Sequence, residues 1–332
     1  MRVALRSCPR ETHGRKEADC PPAANAICDP RIAPMMISGR SNLTGSNAAR
    51  KQAYCTGMLA DEIRQFLHKN GIWLDTNKGQ HFLTDESVLE DIVTVADIQK
   101  NDAVVEIGPG IGILTRELLS RAGHVTAVEI DPRMIPLLRI FTMNEQAELA
   151  KNLTIVEGNA LQTLMPTEAY KIVANIPYHI TSPLLTHALL ESSQRPKSLT
   201  LLIQREVAEN ICSIESDSIL TILVRLFGTP SLIRLVPPSC FLPPPKVDSA
   251  VIHIECFPEP KADPEAIQRI LKLSKLAFSK RRKMLRNTVG EMPSGREAMT
   301  QVGIEPTRRP QTLSIDEWIA LDKALTEIRA SP

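Results

Sequence analysis

The sequence predicts an α/β fold, in which a parallel, doubly wound sheet is followed by a small helical C-terminal domain. Short β-branched apolar segments alternate with helical patterns from about residue 85 to residue 204, and this order places parallel strands between crossover helices. The apolar runs at residues 104–105 and 125–128 fit strands that are covered on both faces. After residue 263 the apolar side chains recur at helical spacing, which predicts the C-terminal helices.

The elements of the predicted sheet domain have recognisable starts and ends. A first helix begins at Met58, places Leu59 and Ile63 on one face, and ends near Asn70-Gly71. The alternating elements that follow are a helix at 85–96, a strand at 103–107, a helix from 112, a strand at 124–130, a helix from 132, strands at 153–157 and 171–174, a helix from 182, a strand at 198–204 and a helix at 205–212.

The remaining elements lead into the C-terminal domain. Residues 219–227 are apolar and β-branched, so they fit either a helix or a strand. Residues 233–236 and 247–254 are predicted to pair as antiparallel strands around a proline-rich turn. Asp263-Pro264 then supplies a cap and a first-turn proline for a helix, and residues 314–317 form a capping box before the final helix.

Composition divides the chain into three parts. Residues 1–57 are rich in Pro, Ala, Ser, Asn and Arg and lack apolar periodicity, which predicts a disordered N-terminal extension. An organelle transit peptide is one alternative, and translation that begins at a later methionine is another. Residues 58–257 are expected to form the sheet domain, and residues 258–332 the helical domain.

The overall composition excludes several classes of protein. No apolar run reaches the roughly 18 to 20 residues of a membrane span, and the N-terminus lacks the apolar core of a secretory signal. We therefore expect a soluble, cytoplasmic protein with no membrane contact, and a monomer. The seven cysteines show neither C-x-x-C pairs nor zinc-type spacing with histidine, so we expect free thiols and no metal site.

A local excess of positive charge is hidden by the formal net charge of +1. Between residues 272 and 290 the sequence has no acidic residue, and its basic residues are Lys272, Lys275, Lys280, Arg281, Arg282, Lys283 and Arg286. The usual explanation for a charge run is a solvated helix face. The absence of interleaved acids favours a basic helix that contacts the phosphates of a nucleic acid.

A glycine-rich loop follows the strand at 103–107. Gly108 and Gly110 allow a sharp turn against a ligand, and the helix that follows presents free N–H groups. About twenty residues later Glu129 ends the next strand, where a carboxylate can accept hydrogen bonds from both ribose hydroxyls. The loop is shorter than the G-x-G-x-x-G loop of dinucleotide enzymes and is preceded by Glu106. This spacing favours S-adenosylmethionine (SAM) over NAD, because SAM has no pyrophosphate.

Two further segments follow the next two predicted strands. Asn159 is placed either to contact the adenine edge of a nucleoside or to cap a turn. Asn175, Ile176, Pro177 and Tyr178 combine an amide, a rigid turn and an aromatic ring, although such a turn can also be purely structural. The Asn175 oxygen and the Ile176 carbonyl can orient an adenine N6 in line with a sulfonium methyl group, while Tyr178 stacks on the flipped base. No strong base is needed, because the methylated amine is cationic and its proton is acidic.

These residues resemble those of the bacterial small-subunit ribosomal RNA adenine N6,N6-dimethyltransferases and of their eukaryotic and mitochondrial relatives. The resemblance extends from about Leu59 to Leu325. It rests on the segments at residues 79–83, 106–112, 128–131, 175–178, 204–208, 241–250 and 278–287. It implies a Rossmann-like SAM-dependent methyltransferase sheet at 58–257 and an RNA-binding helical domain at 258–332.

The resemblance also implies roles for individual residues. Those implied to lie against SAM are His81, Leu83, Gly108, Glu129, Asn159 and Asn175. Phe241 is implied at the border of the target base, with a core position as the alternative. Two residues depart from the family pattern, since Asn159 stands where an acid is common and His179 stands where an asparagine is usual. Residues 213–223 also lack the family's glycine-containing pattern.

The sequence therefore predicts a SAM-dependent enzyme that dimethylates the N6 of two adjacent adenosines near the 3′ end of small-subunit rRNA. Its expected partner is this rRNA or a pre-small-subunit particle. One alternative is a large-subunit adenine methylase of the macrolide-resistance type, which the likeness after Asp263 disfavours. The other is a non-catalytic RNA-binding factor of ribosome assembly or mitochondrial transcription, which Glu129 and residues 175–178 disfavour.

Overall fold

A seven-stranded sheet forms the centre of the computed structural model, which describes residues 58–72, 80–146, 148–213, 218–280 and 282–330. The strands of the described residues are β1 Phe82–Leu83, β2 Ala103–Ile107, β3 His124–Glu129, β4 Leu153–Glu157, β5 Tyr170–Asn175, β6 Ser198–Gln204, β7 Gly228–Val236, β8 Phe241–Leu242 and β9 Ser249–Cys256. The order in the sheet is β4-β3-β2-β5-β6-β9-β7. Strands β2 to β6 are parallel, whereas β9 is antiparallel to β6 and β7. The predicted α/β fold with a mainly parallel sheet is confirmed.

Helices connect the strands in the order that the sequence predicts. They are α1 Met58–Lys69, α2 Glu86–Val95, α3 Ile113–Arg121, α4 Met134–Gln146, α5 Thr181–Thr186, α6 Arg205–Cys212, α7 Ile219–Phe227, α8 Pro264–Phe278, α9 Gly295–Gln301 and α10 Ile315–Ala330. Helix α7 occupies the segment that fits either a helix or a strand from its sequence. Helix α4 starts two residues later than expected, because Asp131 accepts hydrogen bonds from the N–H groups of Arg133 and Met134 and so forms a turn first.

Apolar side chains cover both faces of the sheet. Successive residues of one strand alternate between two hydrophobic clusters, as the twofold side-chain period of a strand requires. In β5, Ile172 and Ala174 belong to one cluster and Val173 to the other, and all three are fully buried. In β6, Leu201 belongs to the first cluster and Leu202 to the second. This double burial holds the parallel strands in register, so that their carboxyl ends meet at one edge.

The C-terminal helices share the first of these clusters, which includes Ile270 of α8 and Trp318 of α10. Asp263 accepts a hydrogen bond from the Ala266 N–H and caps α8, and Ser314 and Glu317 cap α10 reciprocally. The predicted caps are therefore confirmed. The described residues from 58 to 330 lie in one compact unit, and the division at residue 257 remains a prediction.

The basic helix predicted between residues 272 and 290 ends earlier than expected. Helix α8 stops at Phe278, where the Ser279 hydroxyl donates to the Leu276 carbonyl, and Lys280 begins a turn closed by a hydrogen bond from the Lys283 N–H to the Lys280 carbonyl. Only Lys272 and Lys275 lie on the helix. Lys280, Arg282 and Lys283 are exposed on the loop that follows, and Arg286 is exposed in a 3-10 helix at Leu285–Asn287. Arg281 lies outside the described residues.

Several other predictions concern metals, thiols and the N-terminus. Cys212, Cys240 and Cys256 are free thiols, as expected. The described residues contain no group of three or more side chains arranged to hold a metal ion. None of the described helices has the length and apolar character needed to cross a bilayer. The predicted N-terminal extension, residues 1–57, lies outside the described residues.

Candidate functional site

A cavity of about 500 Å³ opens at the carboxyl edge of the parallel strands. This is the edge at which open α/β sheets bind ligands, and the volume is in the range of small-molecule sites. Its wall is formed by segments that follow β2, β3, β4 and β5, together with a strap at residues 80–83. The predicted residues that line the cavity are His81, Leu83, Gly108, Gly110, Glu129, Asn159, Asn175 and Pro177.

The glycine loop requires glycine because its backbone is left-handed and packs closely against neighbouring side chains. Gly108, Gly110 and Gly112 have φ values of +65°, +58° and +101°, which L-residues rarely adopt. A Cβ atom at Gly110 would lie 2.6 Å from the Phe82 ring, and one at Gly112 would lie 2.6 Å from Leu138 Cδ1. Helix α3 starts immediately after Gly112, so that its N-terminus faces the same edge.

Backbone hydrogen bonds fix the orientation of the Glu129 carboxyl group at the end of β3. One carboxylate oxygen accepts a hydrogen bond from the Gly110 N–H at 3.0 Å, and the other accepts one from the Asp131 N–H at 2.8 Å. Burial raises the pKa of Glu129 above its ordinary value, against the lowering by the two backbone donors. A carboxylate fixed in this way can accept further hydrogen bonds from two neighbouring hydroxyl groups, as the diol of a ribose offers.

Glu106 lies deeper under the same cavity. It is only 1% exposed, and the Thr115 hydroxyl donates a hydrogen bond of 2.6 Å to its carboxyl group. The pKa of Glu106 is raised to about 8, mainly by burial and to a smaller extent by the neighbouring Glu129, against the lowering by the hydrogen bond from Thr115. The protonated form of Glu106 is therefore favoured at neutral pH, and Glu129 is the carboxyl group with backbone donors at the cavity wall.

The strap at residues 80–83 joins the two halves of the cavity wall. The Gln80 side chain donates to Asp131 at 3.2 Å, on the side of β3. On the other side, a ring nitrogen of His81 lies 2.8 Å from the Pro243 carbonyl oxygen. Strand β1, within the strap, pairs with β8. This small second sheet is not apparent in the sequence, because each of its strands has only two residues.

Asn175 and its neighbours form the turn predicted at the end of β5. The Asn175 Nδ2 donates a hydrogen bond of 3.2 Å to the His81 carbonyl, so the Oδ1 remains the acceptor that this side chain can offer to a ligand. Pro177 lines the cavity beside it. The Tyr178 ring lies nearly parallel to the His81 ring, with centroids 6.4 Å apart, and its hydroxyl is 2.6 Å from Ser249 Oγ. Burial raises the pKa of Tyr178.

Not all predicted site residues reach the cavity wall. Ile176, Tyr178 and Phe241 are described residues that are not part of its lining. Phe241 is only 4% exposed and pairs with Leu83 across the small sheet, which is the core position that the sequence leaves open. Lys280 and Arg282 are exposed on the C-terminal loop, and Lys280 forms an ion pair with Glu291 at 3.6 Å.

Some lining residues were missed from the sequence. They include Gln80, Ile130, Asp131 and Ile180, each of which lies within two positions of a predicted site residue in the chain. Asn159 combines the two predicted possibilities, since it lines the cavity while its Oδ1 accepts a hydrogen bond from the Leu161 N–H and closes a turn. His179, a departure from the family pattern, also lines the cavity.

The wound sheet, the left-handed glycine loop, the buried Glu129 and the turn at Asn175 define an α/β protein with a small-molecule cavity at the carboxyl edge of its sheet. The chain belongs to the ribosomal RNA adenine dimethylase family, whose model matches residues 74–327. The family resemblance predicted from the sequence is thus confirmed.

Individual relatives are similar over most of the chain. The chain is 38% identical over 277 residues to the ribosomal RNA small subunit methyltransferase A of Clostridium botulinum (strain Loch Maree), which covers 80% of this chain and 98% of the relative. A protein of the same name from Clostridium acetobutylicum is 38% identical over 267 residues, covering 77% and 95% of the two chains.

Two solved structures are similar to this fold. A dimethyladenosine transferase from Plasmodium falciparum gives a TM-score of 0.61 at 27% identity, and the match covers 75% of this chain and 98% of that chain. The 23S rRNA methyltransferase ErmE gives a TM-score of 0.61 at 27% identity, with 74% and 99% covered.

Proposed function

We propose that the protein uses SAM to dimethylate the N6 of two adjacent adenosines near the 3′ end of small-subunit rRNA. The observation that supports this most directly is the shared cavity, in which Asn175 and Pro177 lie with Glu129 and the glycine loop. Family membership supports adenine in rRNA as the methyl acceptor. The names of the curated relatives support the small subunit as its source.

The cavity fits SAM in its size and in its polar groups. Glu129 is placed to accept hydrogen bonds from the ribose, and Asn159 lies where the loop after β4 can contact an adenine edge. Gly108 and Gly110 line the cavity, where their backbone can contact the amino acid part, and His81 and Leu83 line it as well. SAM supplies an electrophilic methyl group on a sulfonium centre.

The residues of the turn at Asn175 position the acceptor. The Asn175 Oδ1 and the Ile176 carbonyl accept hydrogen bonds from the adenine N6, which hold its lone pair toward the methyl group. Tyr178, whose hydroxyl contacts Ser249, provides a ring for stacking. Contact between Phe241 and the base requires a movement of β8, because Phe241 is buried.

Replacement of Glu129 by alanine is expected to raise the dissociation constant of SAM by about 10-fold to 100-fold, since it removes two charge-assisted hydrogen bonds to the ribose. Isothermal titration calorimetry with SAM measures this effect. Glu157→Ala is the matched control, because Glu157 pairs with Glu129 in the neighbouring strand but is exposed and does not line the cavity. Equal affinities of the two variants would contradict the assignment of Glu129.

Neutralisation of Lys280, Arg281 and Arg282 by glutamine is expected to weaken rRNA binding. Each lost phosphate contact reduces the slope of log K against log salt by about 0.7 to 0.9, so the slope should fall by about 2. Filter binding at several salt concentrations measures it. Lys323→Gln is a control on the exposed face of α10. An unchanged slope in the triple variant would show that this loop does not contact the RNA phosphates.

The function itself is tested by mass spectrometry of rRNA. Small subunits that lack the modification are incubated with the protein and labelled SAM, and two adjacent N6,N6-dimethyladenosines are expected near the 3′ end. A parallel incubation with large subunits identifies the macrolide-resistance type of methylase if the label appears there. SAM that fails to bind in calorimetry would indicate the non-catalytic alternative.

The site of action follows from this substrate. We propose that the protein works in the cytoplasm, where small subunits are assembled, and binds a pre-small-subunit particle as a monomer. Size-exclusion chromatography with light scattering tests the monomer, and co-sedimentation of the protein with assembling subunits tests the partner.

A further inference from the structure

A second cavity, which we call the helix groove, lies between α5, α7 and α8 and has a volume of about 660 Å³. Ser182 and Thr186 of α5 line one side. Leu223 of α7 forms part of the floor, and Leu271 and Phe278 of α8 line the far side. None of these residues belongs to the cavity at the carboxyl edge of the sheet.

The helix groove adjoins the methyl-acceptor turn. Helix α5 begins at Thr181, directly after the turn of Asn175 to Tyr178. Ile180 lines the first cavity, whereas Ser182, only two residues later, lines the helix groove. Residues two apart on a helix point in different directions, so the first turn of α5 separates the two spaces. A chain segment that enters one is therefore close to the other.

The chemistry of the helix groove combines apolar, hydroxyl and cationic groups. Phe278 is half-buried, and its ring packs against the buried Trp318 with centroids 6.3 Å apart, which restricts its orientation. Lys275 is exposed at the rim, with Ser279 beside it. The described lining residues include no acid, and the basic loop that starts at Lys280 follows immediately.

These features are suited to binding a single nucleotide. An aromatic ring offers a stacking surface to a base, and a lysine at the rim offers a charge to its phosphate. We propose that the helix groove binds an unpaired nucleotide of the rRNA close to the methylated adenosines, with its base against Phe278 and its phosphate on Lys275. This proposal rests on the proposed function. It adds a second nucleotide subsite that would hold the strand while the target base occupies the first cavity.

The test uses the full chain and undermethylated small subunits. Thr186→Phe and Ser182→Leu reduce the space in the groove, and each is expected to raise the KM for subunits by about 10-fold, the value of one lost base–aromatic stack. The dissociation constant of SAM should stay within about twofold, because neither residue lines the first cavity. A KM for subunits that stays at the wild-type value in both variants overturns the proposal.

Charge provides a matched pair of variants. Lys272 and Lys275 are both exposed on α8, but only Lys275 lines the groove. Lys275→Glu is expected to raise the KM for subunits at least about threefold more than Lys272→Glu, although both change the net charge equally. Equal effects would show a general electrostatic contribution and overturn the assignment of Lys275.

Photocrosslinking identifies the occupant. A benzophenone side chain at position 186 is expected to crosslink to rRNA within a few nucleotides of the methylated adenosines. A crosslink to a ribosomal protein would show that the groove takes a polypeptide instead, and a crosslink to distant rRNA would also overturn the proposal. If the wild-type protein does not methylate the subunits, the proposed function fails. If it does and the groove variants behave like the wild type, only this inference fails.

Discussion

Replacement of Asn175 by alanine is expected to lower the rate of methyl transfer by about 10²-fold to 10³-fold, the usual effect of removing one preorganised polar group at a reacting atom. The alanine side chain cannot accept a hydrogen bond from N6, so the nitrogen lone pair is no longer held toward the methyl group. The same change also removes the hydrogen bond from Asn175 to the His81 carbonyl. Single-turnover transfer of label from SAM to undermethylated subunits measures the rate.

A matched substitution separates the two roles of Asn175. Asn175→Asp retains an acceptor oxygen but loses the Nδ2 donor to His81, so its rate is expected to fall between those of the wild type and the alanine variant. Calorimetry with SAM shows whether cofactor binding is preserved, and its dissociation constant should change less than about 10-fold. An alanine variant with near-normal turnover would contradict the assignment of Asn175 as the N6 acceptor.

The sheet and most helix boundaries could be predicted because they depend on local signals. The strand at Leu153–Glu157 and the helix at Arg205–Cys212 have the predicted bounds. In both elements, the side-chain periodicity and the flanking turn residues that define the bounds lie within a few positions of each other in the sequence. The position of the cavity was predictable for a similar reason, because the carboxyl ends of parallel strands share one edge of the sheet.

The closure of the site depends on contacts that are distant in sequence. Asn175 is 94 residues from His81, and His81 is 162 residues from Pro243. No local pattern indicates that these three groups are hydrogen-bonded, or that β1 pairs with β8. The burial of Phe241 follows from the same pairing, since β8 turns this ring toward the core beside Leu83.

The position at which the basic helix ends could not be predicted from composition alone. Leu271 to Phe278 have helical apolar spacing, but residues 279–283 are all polar or basic, and the next apolar residue is Met284. Helices in proteins are stabilised mainly by an apolar face, so α8 ends where its buried face ends. The loop carries the same number of positive charges as the predicted helix. Only the geometry in which these charges can contact RNA differs.

Replacement of Glu106 by glutamine is expected to stabilise the protein at pH 8 by an amount on the order of 4 kcal/mol and to have little effect near pH 4. The pKa of Glu106 is raised from its ordinary value of 4.5 to about 8, mainly by burial. Between these pH values the folded state retains a proton that the unfolded state releases. The wild type therefore loses stability as pH rises from about 4.5 to about 8, whereas glutamine imitates the neutral acid and removes this dependence.

Urea unfolding of the wild type and of Glu106→Gln at half-unit steps from pH 4 to pH 9 measures this effect as a difference in the free energy of unfolding. Glutamine keeps an acceptor for the Thr115 hydroxyl, so this buried donor retains its partner. Glu157→Gln, at an exposed position of β4, should show no such divergence with pH. A constant difference between wild type and Glu106→Gln from pH 5 to pH 8 would mean that Glu106 is ionised in the folded protein. In that case Glu106 would be a second charged carboxylate beside Glu129 at the cavity, which contradicts the protonated form expected of it.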